Sequence, residues 1–183
     1  MWNKEILMGF KTTALLVMIV MAFSCATQKE LGNNANEVKL VITNSTPYCG
    51  GAAPTPEMEI PVEVPIPNSS FLLYSENEDG SRGKELKEIK TNEDGETTLY
   101  LPNGHYQLWL PTKKLSLEEF IKAESPDKGT DYSYQDRECF QAWREKVDFK
   151  FEVKSDSTIS LSRPVRCYTG AHPCLKYTGP YHP

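Results

Sequence analysis

Histidine is nearly absent: the 183 residues hold three, and two of these, His172 and His182, fall in the C-terminal tail. No Gly-x-Ser-x-Gly elbow, phosphate-binding loop or dinucleotide fingerprint occurs, so the patterns that would position a nucleophile, a nucleotide or a hydride carrier are missing. Asp and Glu are plentiful, but no pair is marked by its surroundings as buried or coupled, which general acid–base work requires. These gaps argue against an enzyme and call for no cofactor. Basic residues do not cluster: 20 Lys and Arg are scattered among 25 Asp and Glu, for a net charge of −5. A phosphate backbone would find no surface to track, which excludes nucleic acid as a partner. Cys-x-x-Cys pairs are missing as well, which removes the commonest zinc arrangement. The longest apolar run, residues 14–23, is about half of the ~20 residues a membrane-crossing helix needs.

That run nevertheless has a use. Lys4 and Lys11 precede it and Ser24-Cys25 follow it, the order of a secretory signal peptide. Ala22-Phe23-Ser24-Cys25 resembles the bacterial lipobox, with Ser24 matching well and Ala22 standing where Leu is usual. The resemblance implies that residues 1–24 are removed and that Cys25 is lipidated. Each buried methylene of an acyl chain adds about 0.8 kcal/mol, so several chains hold a protein on a membrane. Residues 25–37 then read as the lipidated cysteine and a flexible tether, since they lack apolar periodicity. Residues 38–183 form a single domain.

The central stretch of that domain is residues 91–110, TNEDGETTLYLPNGHYQLWL. Asn92 to Gly95 supply turn chemistry. Thr97, Leu99 and Leu101 alternate with Glu96, Thr98 and Tyr100, and Tyr106, Leu108 and Leu110 alternate with His105, Gln107 and Trp109. Period-two alternation on both sides of Pro102-Asn103-Gly104 predicts two strands closing an antiparallel hairpin. Similar runs at 38–43, 70–75, 85–90, 147–153 and 158–165 bring the strands to seven, with 147–165 read as a second hairpin turning near Ser155 and Asp156. Residues 45–68 carry six prolines and predict a long, irregular crossing. After Pro111 the period changes: Ser116 and Glu119 make a capping box ahead of Phe120 and Ile121, and residues 135–145 place Cys139, Phe140 and Trp143 on one side of a second short helix, although Tyr132 and Tyr134 could begin a strand. The fold class is mostly β: an Ig-like or transthyretin-like antiparallel sandwich of about seven strands with one or two short inserted helices.

Asp94-Gly95 followed by Leu101, Pro102, Gly104, Tyr106 and Leu108 resembles the carboxypeptidase regulatory-like family, relatives of Cna B-type and transthyretin-like domains. The resemblance implies the sandwich fold and a structural or binding appendage. Taken with Cys49-Gly50-Gly51 and the terminal Pro173-Cys174, the chain also resembles lipoproteins of Bacteroidota that carry such a sandwich with four cysteines outside the lipobox. The Lys-Asn isopeptide of some Cna B-type domains has no counterpart, since residues 158–165 contain neither Asn nor Asp beside Lys39.

Cys49, Cys139, Cys167 and Cys174 form an even set in an exported chain and predict two disulfides. Three connectivities exist. A hairpin over 147–165 would bring Cys139 near Cys167 and leave Cys49 with Cys174. The rival use is a metal site built from Cys167, His172 and Cys174 with His182; disulfides are favoured because thiols oxidise in this compartment, and no metal is assigned. The turns at 76–80 and 91–95 lack acidic residues at the first and twelfth positions of a calcium loop and read as ordinary turns. Tyr100 and Trp109 would share the face opposite the core on neighbouring strands, where aromatics stack on sugars or peptides. They are the ligand-binding candidates; the competing use of that face is to carry the helices at 116–145.

The leading reading is therefore a non-catalytic, lipid-anchored protein of the cell envelope, outer-membrane-anchored on its periplasmic or outer side, and structural or interaction-forming in role. Its partners would be the membrane, through the lipid, and an envelope protein or glycan. The alternative is a carbohydrate- or peptide-binding lipoprotein using Tyr100 and Trp109, and behind it a metal-binding protein using the tail.

Overall fold

The computed structural model describes residues 35–127 and 129–180; Cys25, His182 and the leader lie outside them. Among the described residues, ten strands and two short α-helices follow one another as β1 (Asn36–Thr46), β2 (Val62–Pro65), β3 (Ser70–Glu76), β4 (Arg82–Lys90), β5 (Glu96–Leu101), β6 (Gly104–Trp109), a 3-10 turn (Pro111–Lys114), α1 (Leu117–Ala123), β7 (Tyr132–Tyr134), α2 (Arg137–Glu145), β8 (Phe149–Val153), β9 (Ser157–Pro164) and β10 (Leu175–Tyr177). All seven strands expected from periodicity are present. The chain is a mostly-β sandwich with few short helices. Among the described residues no helix is long and apolar enough to cross a membrane.

The two layers are a sheet in which β1 pairs with β2, β5 and β9, and a sheet of order β4-β3-β6-β8. β1 is the spine of the first. Its N-terminal half pairs antiparallel with β5, its C-terminal half with β2, and Val38 to Ser45 run parallel to β9. The change of partner from β5 to β2 occurs at Gly95, which holds φ +73 and whose carbonyl accepts from the Ile42 N–H at 2.9 Å, while the Ile42 carbonyl accepts from Ile66 N–H at 2.9 Å. A Cβ on residue 95 would stand 2.6 Å from the Ile42 oxygen, so both backbone angle and space require glycine there. Val38, Leu40 and Ile42 from one sheet meet Phe71, Leu73, Leu108 and Phe151 from the other in the main core.

Neither expected hairpin forms. β5 pairs with β1, whereas β6 pairs with β3 and β8, so the chain at Pro102-Asn103 crosses from one sheet to the other. β8 and β9 part in the same way. The alternation that predicts a hairpin cannot distinguish it from such an arch, because both turn Leu99, Leu101, Tyr106 and Leu108 inward. The first arch is fastened by Tyr106, whose hydroxyl donates to the Pro102 carbonyl at 2.8 Å and whose ring stacks on Phe151. This is the tyrosine-corner arrangement found in sandwich domains.

With the arches comes a different cysteine pairing. The disulfides are Cys49–Cys167 and Cys139–Cys174, which corrects the expectation of Cys139 with Cys167 and Cys49 with Cys174. Because β9 runs parallel beside β1, with Ser45 opposite Pro164, the two chains leave the sheet at the same end and carry Cys49 and Cys167 out together. The proline-rich crossing, in turn, is less irregular than expected: residues 62–65 form β2 along the edge of the first sheet.

Candidate functional site

Trp109 and Tyr100, the sequence-derived ligand candidates, do not share a face. Tyr100 lies on β5 of the first sheet, 55% exposed, with its hydroxyl donating to Glu37. Trp109 lies on β6 of the second sheet, 6% exposed. The arch at Pro102 separates them, so no aromatic platform joins the two.

What covers Trp109 was only half legible. The helices do not lie over it as a slab; they bury Phe120, Phe140 and Cys174 in a small core of their own, with Trp143 and Tyr134 against it. Trp109 packs with Leu72, Tyr74 and Val147. Its indole N–H donates to the Gln107 side-chain oxygen at 2.9 Å, and the Gln107 amide donates to the Gly80 carbonyl at 3.0 Å, so a buried glutamine fixes the ring plane. Two cations stand over that plane. The Arg82 guanidinium carbon is 4.5 Å and the Lys113 ammonium 5.6 Å from the ring centroid, distances at which the ring quadrupole attracts positive charge.

Lys113 is the joint between the helical insertion and the sandwich. It belongs to the 3-10 turn after β6, and its ammonium donates to the Asp148 carboxylate at 2.8 Å and to the Lys146 carbonyl at 2.6 Å. The second Asp148 oxygen accepts from Leu110 N–H at 2.8 Å. The side chains are 1% and 4% exposed. Burial holds the Lys113 ammonium below the ordinary lysine range, against the opposing pull of Asp148. A buried pair of this kind is secure only when every remaining hydrogen-bonding position is filled.

On either side of this joint is a cavity. The larger, about 420 Å³, is bounded by Arg82, Gln107, Trp109, Arg144, Val147 and Lys150. The smaller, about 230 Å³, lies between Trp143, Asp148, Arg163 and Pro173; there the Arg163 Nε donates to Asn44 at 3.2 Å. Sequence reasoning passed over Arg82, Lys113, Arg144 and Asp148. Only the alternation of Gln107 with Trp109 on one strand face offered a signal, because the remaining residues come together from four separate segments.

The metal candidates are engaged otherwise. Cys167 and Cys174 belong to different disulfides. His172 sits between Trp143 and Tyr134, ring centroids at 4.7 and 5.4 Å. Its Nδ1 accepts from Cys174 N–H at 3.2 Å, so Nε2 carries the proton and donates to the Glu124 carbonyl at 2.7 Å, closing the last turn of α1. Among the described residues no group of three or more His, Cys, Asp and Glu is placed to hold a metal ion.

No protein-family model matches the chain. No curated protein matches it significantly. Among solved structures, a match is "The Bacillus anthracis TIE protein", at 21% identity and a TM-score of 0.30, over 72% of this chain and 17% of that one. The chain thus spans about one sixth of the length of that protein.

Proposed function

We propose that this protein is a non-catalytic, lipid-anchored module of the cell envelope, a sandwich of the carboxypeptidase regulatory-like kind attached through acyl chains on Cys25 and serving a structural or interaction role. The single observation that carries the reading is the pair of disulfides, Cys49–Cys167 and Cys139–Cys174, which use all four cysteines of the domain. Such bonds persist in an oxidising compartment, which agrees with an exported chain whose sequence runs from Lys4 and Lys11 through an apolar run to Ser24-Cys25. The non-catalytic part is supported by the uses of the perturbed ionisable groups. Lys113 closes a joint between elements. Glu63 is held below the usual carboxylate range by the hydroxyls of Thr43 and then Ser162, on neighbouring strands. The Tyr74 hydroxyl, pushed up to about 12 by burial and by Glu85, donates to that carboxylate at 2.7 Å and ties β3 to β4.

Intact-mass analysis of protein extracted from the membrane fraction tests the anchor. The expected species begins at Cys25 and carries the mass of acyl chains, and Cys25→Ser leaves the membrane fraction or retains its leader. An unacylated protein with its N terminus elsewhere would overturn the reading.

A further inference from the structure

We infer that the cavity over Trp109 binds an oxyanion, the carboxylate or phosphate of a small polar ligand, between the guanidinium groups of Arg82 and Arg144. The chain as a whole is acidic, yet this cavity is walled by Arg82, Lys113, Arg144 and Lys150 against one acid, Glu145. Two of the four cations are already neutralised: Lys113 by Asp148, and Lys150 by Glu76 at 2.9 Å. The two arginines are less fully compensated: the Glu85 carboxylate, paired with Lys114, acts on Arg82 only at a distance. Arg82 makes no ion pair or side-chain hydrogen bond with another described residue; its guanidinium lies over Trp109 and 5.3 Å from the Tyr74 ring centroid. Arg144 donates only through Nε, to the Leu115 carbonyl at 2.8 Å, which leaves its terminal nitrogens unused among the described residues. Glu145 is engaged from outside the cavity lining by the Gln141 amide at 3.1 Å.

A guanidinium presents paired N–H groups at the spacing of two carboxylate or phosphate oxygens, and its hydrogen bonds to such groups are charge-assisted. Contact with the indole holds the Arg82 plane in place before a ligand arrives, which lowers the entropy cost of binding. The exposed cations further along β4 are lysines, Lys84, Lys87 and Lys90; an arginine stands at the position that reaches the cavity. The volume lies within the range of small-ligand pockets, roughly 300–1,000 Å³, and Val147 gives an apolar wall for the body of the ligand. The site does not depend on the lipid anchor and would persist in a secreted form.

The test is a titration of the oxidised protein, followed by the Trp109 indole N–H resonance, with inorganic phosphate, with glucuronate and with phosphatidylglycerol vesicles. Variants Arg82→Gln and Arg144→Gln are compared with Lys87→Gln, which removes one charge outside the cavity. Saturable shifts with phosphate or glucuronate, weakened about tenfold or more in either arginine variant and unchanged in Lys87→Gln, establish a soluble oxyanion as ligand. Vesicle binding alone with the same variant pattern supports the same chemistry and assigns its source to a lipid headgroup. Absence of any shift up to about 20 mM ligand, or shifts equally reduced in all three variants, would overturn the inference. Retained resonance dispersion in the variants shows that folding is not at issue.

Discussion

In the sandwich, the buried residues are contributed by two sheets in roughly equal numbers, Val38, Leu40 and Ile42 facing Phe71, Leu73 and Leu108, and no covalent bond crosses between them. In the segments that follow each arch, 111–146 and 166–180, the buried apolar set shrinks to Phe120, Phe140 and Cys174. Two helices of seven and nine residues and a two-stranded ribbon of three-residue strands surround it. Helices so short are marginal alone, and an isolated two-stranded ribbon is no better. The difference shows where cross-linking becomes necessary. The sandwich has enough apolar area to hold itself, and the cap does not, so Cys139–Cys174 runs through the centre of the cap. The Arg166 guanidinium adds to this by donating from one nitrogen to the carbonyls of His172, Pro173 and Leu175.

If the cap is joined to the sandwich chiefly through Lys113 and Asp148, breaking that pair gives the largest effect. Lys113→Met leaves a carboxylate buried without its counter-ion and is expected to cost about 3–5 kcal/mol in urea unfolding. A loss below about 1 kcal/mol would show that solvent reaches Asp148 and that the joint lies elsewhere.

Removing the cap's own cross-link comes next. The Cys139→Ser, Cys174→Ser double variant is expected to lose about 2–4 kcal/mol, and amide exchange should show the loss locally. Protection should fall in α1, α2, β7 and β10 while β1, β3 and β6 keep theirs. Equal loss in both regions would erase the distinction between them.

The smallest effect separates the regions by pH. Glu76, in the sandwich, is held below the usual carboxylate range by the hydrogen bond from Lys150. A carboxylate whose folded pKa is depressed contributes stability that is present above its unfolded pKa and lost as pH falls through the folded one. The melting temperature is therefore expected to hold above about pH 5 and to fall below about pH 4. Thermal scans of Glu76→Gln should show a shallower fall, and an unchanged slope would mean that this pair contributes nothing to acid sensitivity.

Much of the fold was legible because its signals are local. Period-two alternation located every strand of the main core, and Ser116 with Glu119 located α1 by a capping box in which Ser116 N–H donates to Glu119 at 3.1 Å. The Asn92 turn is equally local: its side-chain oxygen accepts from Asp94 and Glu96 N–H at 2.9 and 2.8 Å. The candidate site was not legible, since Arg82, Trp109, Lys113, Arg144 and Asp148 carry no shared spacing and meet only through packing. The short β10 was hidden, and β7 was legible only as an alternative beginning at Tyr132 and Tyr134, for a related reason. Three residues such as Tyr132–Tyr134 are too few for a periodicity, and they become a strand because Leu175–Tyr177 is brought beside them.

Which side chains point inward and where the chain turns follow from the chemistry of neighbouring residues, and the pairing of four cysteines follows from their even number in a chain read as exported. The tertiary structure alone decided which partner each strand receives at a turn. At Pro102-Asn103, and again at Ser155-Asp156, a hairpin and an arch bury the same residues. The choice falls to the sheet across the core, where β1 is already there to receive β5 and β9. From that choice follow the pairing of Cys49 with Cys167, the separation of Tyr100 from Trp109, and the placing of Arg82 over a buried indole.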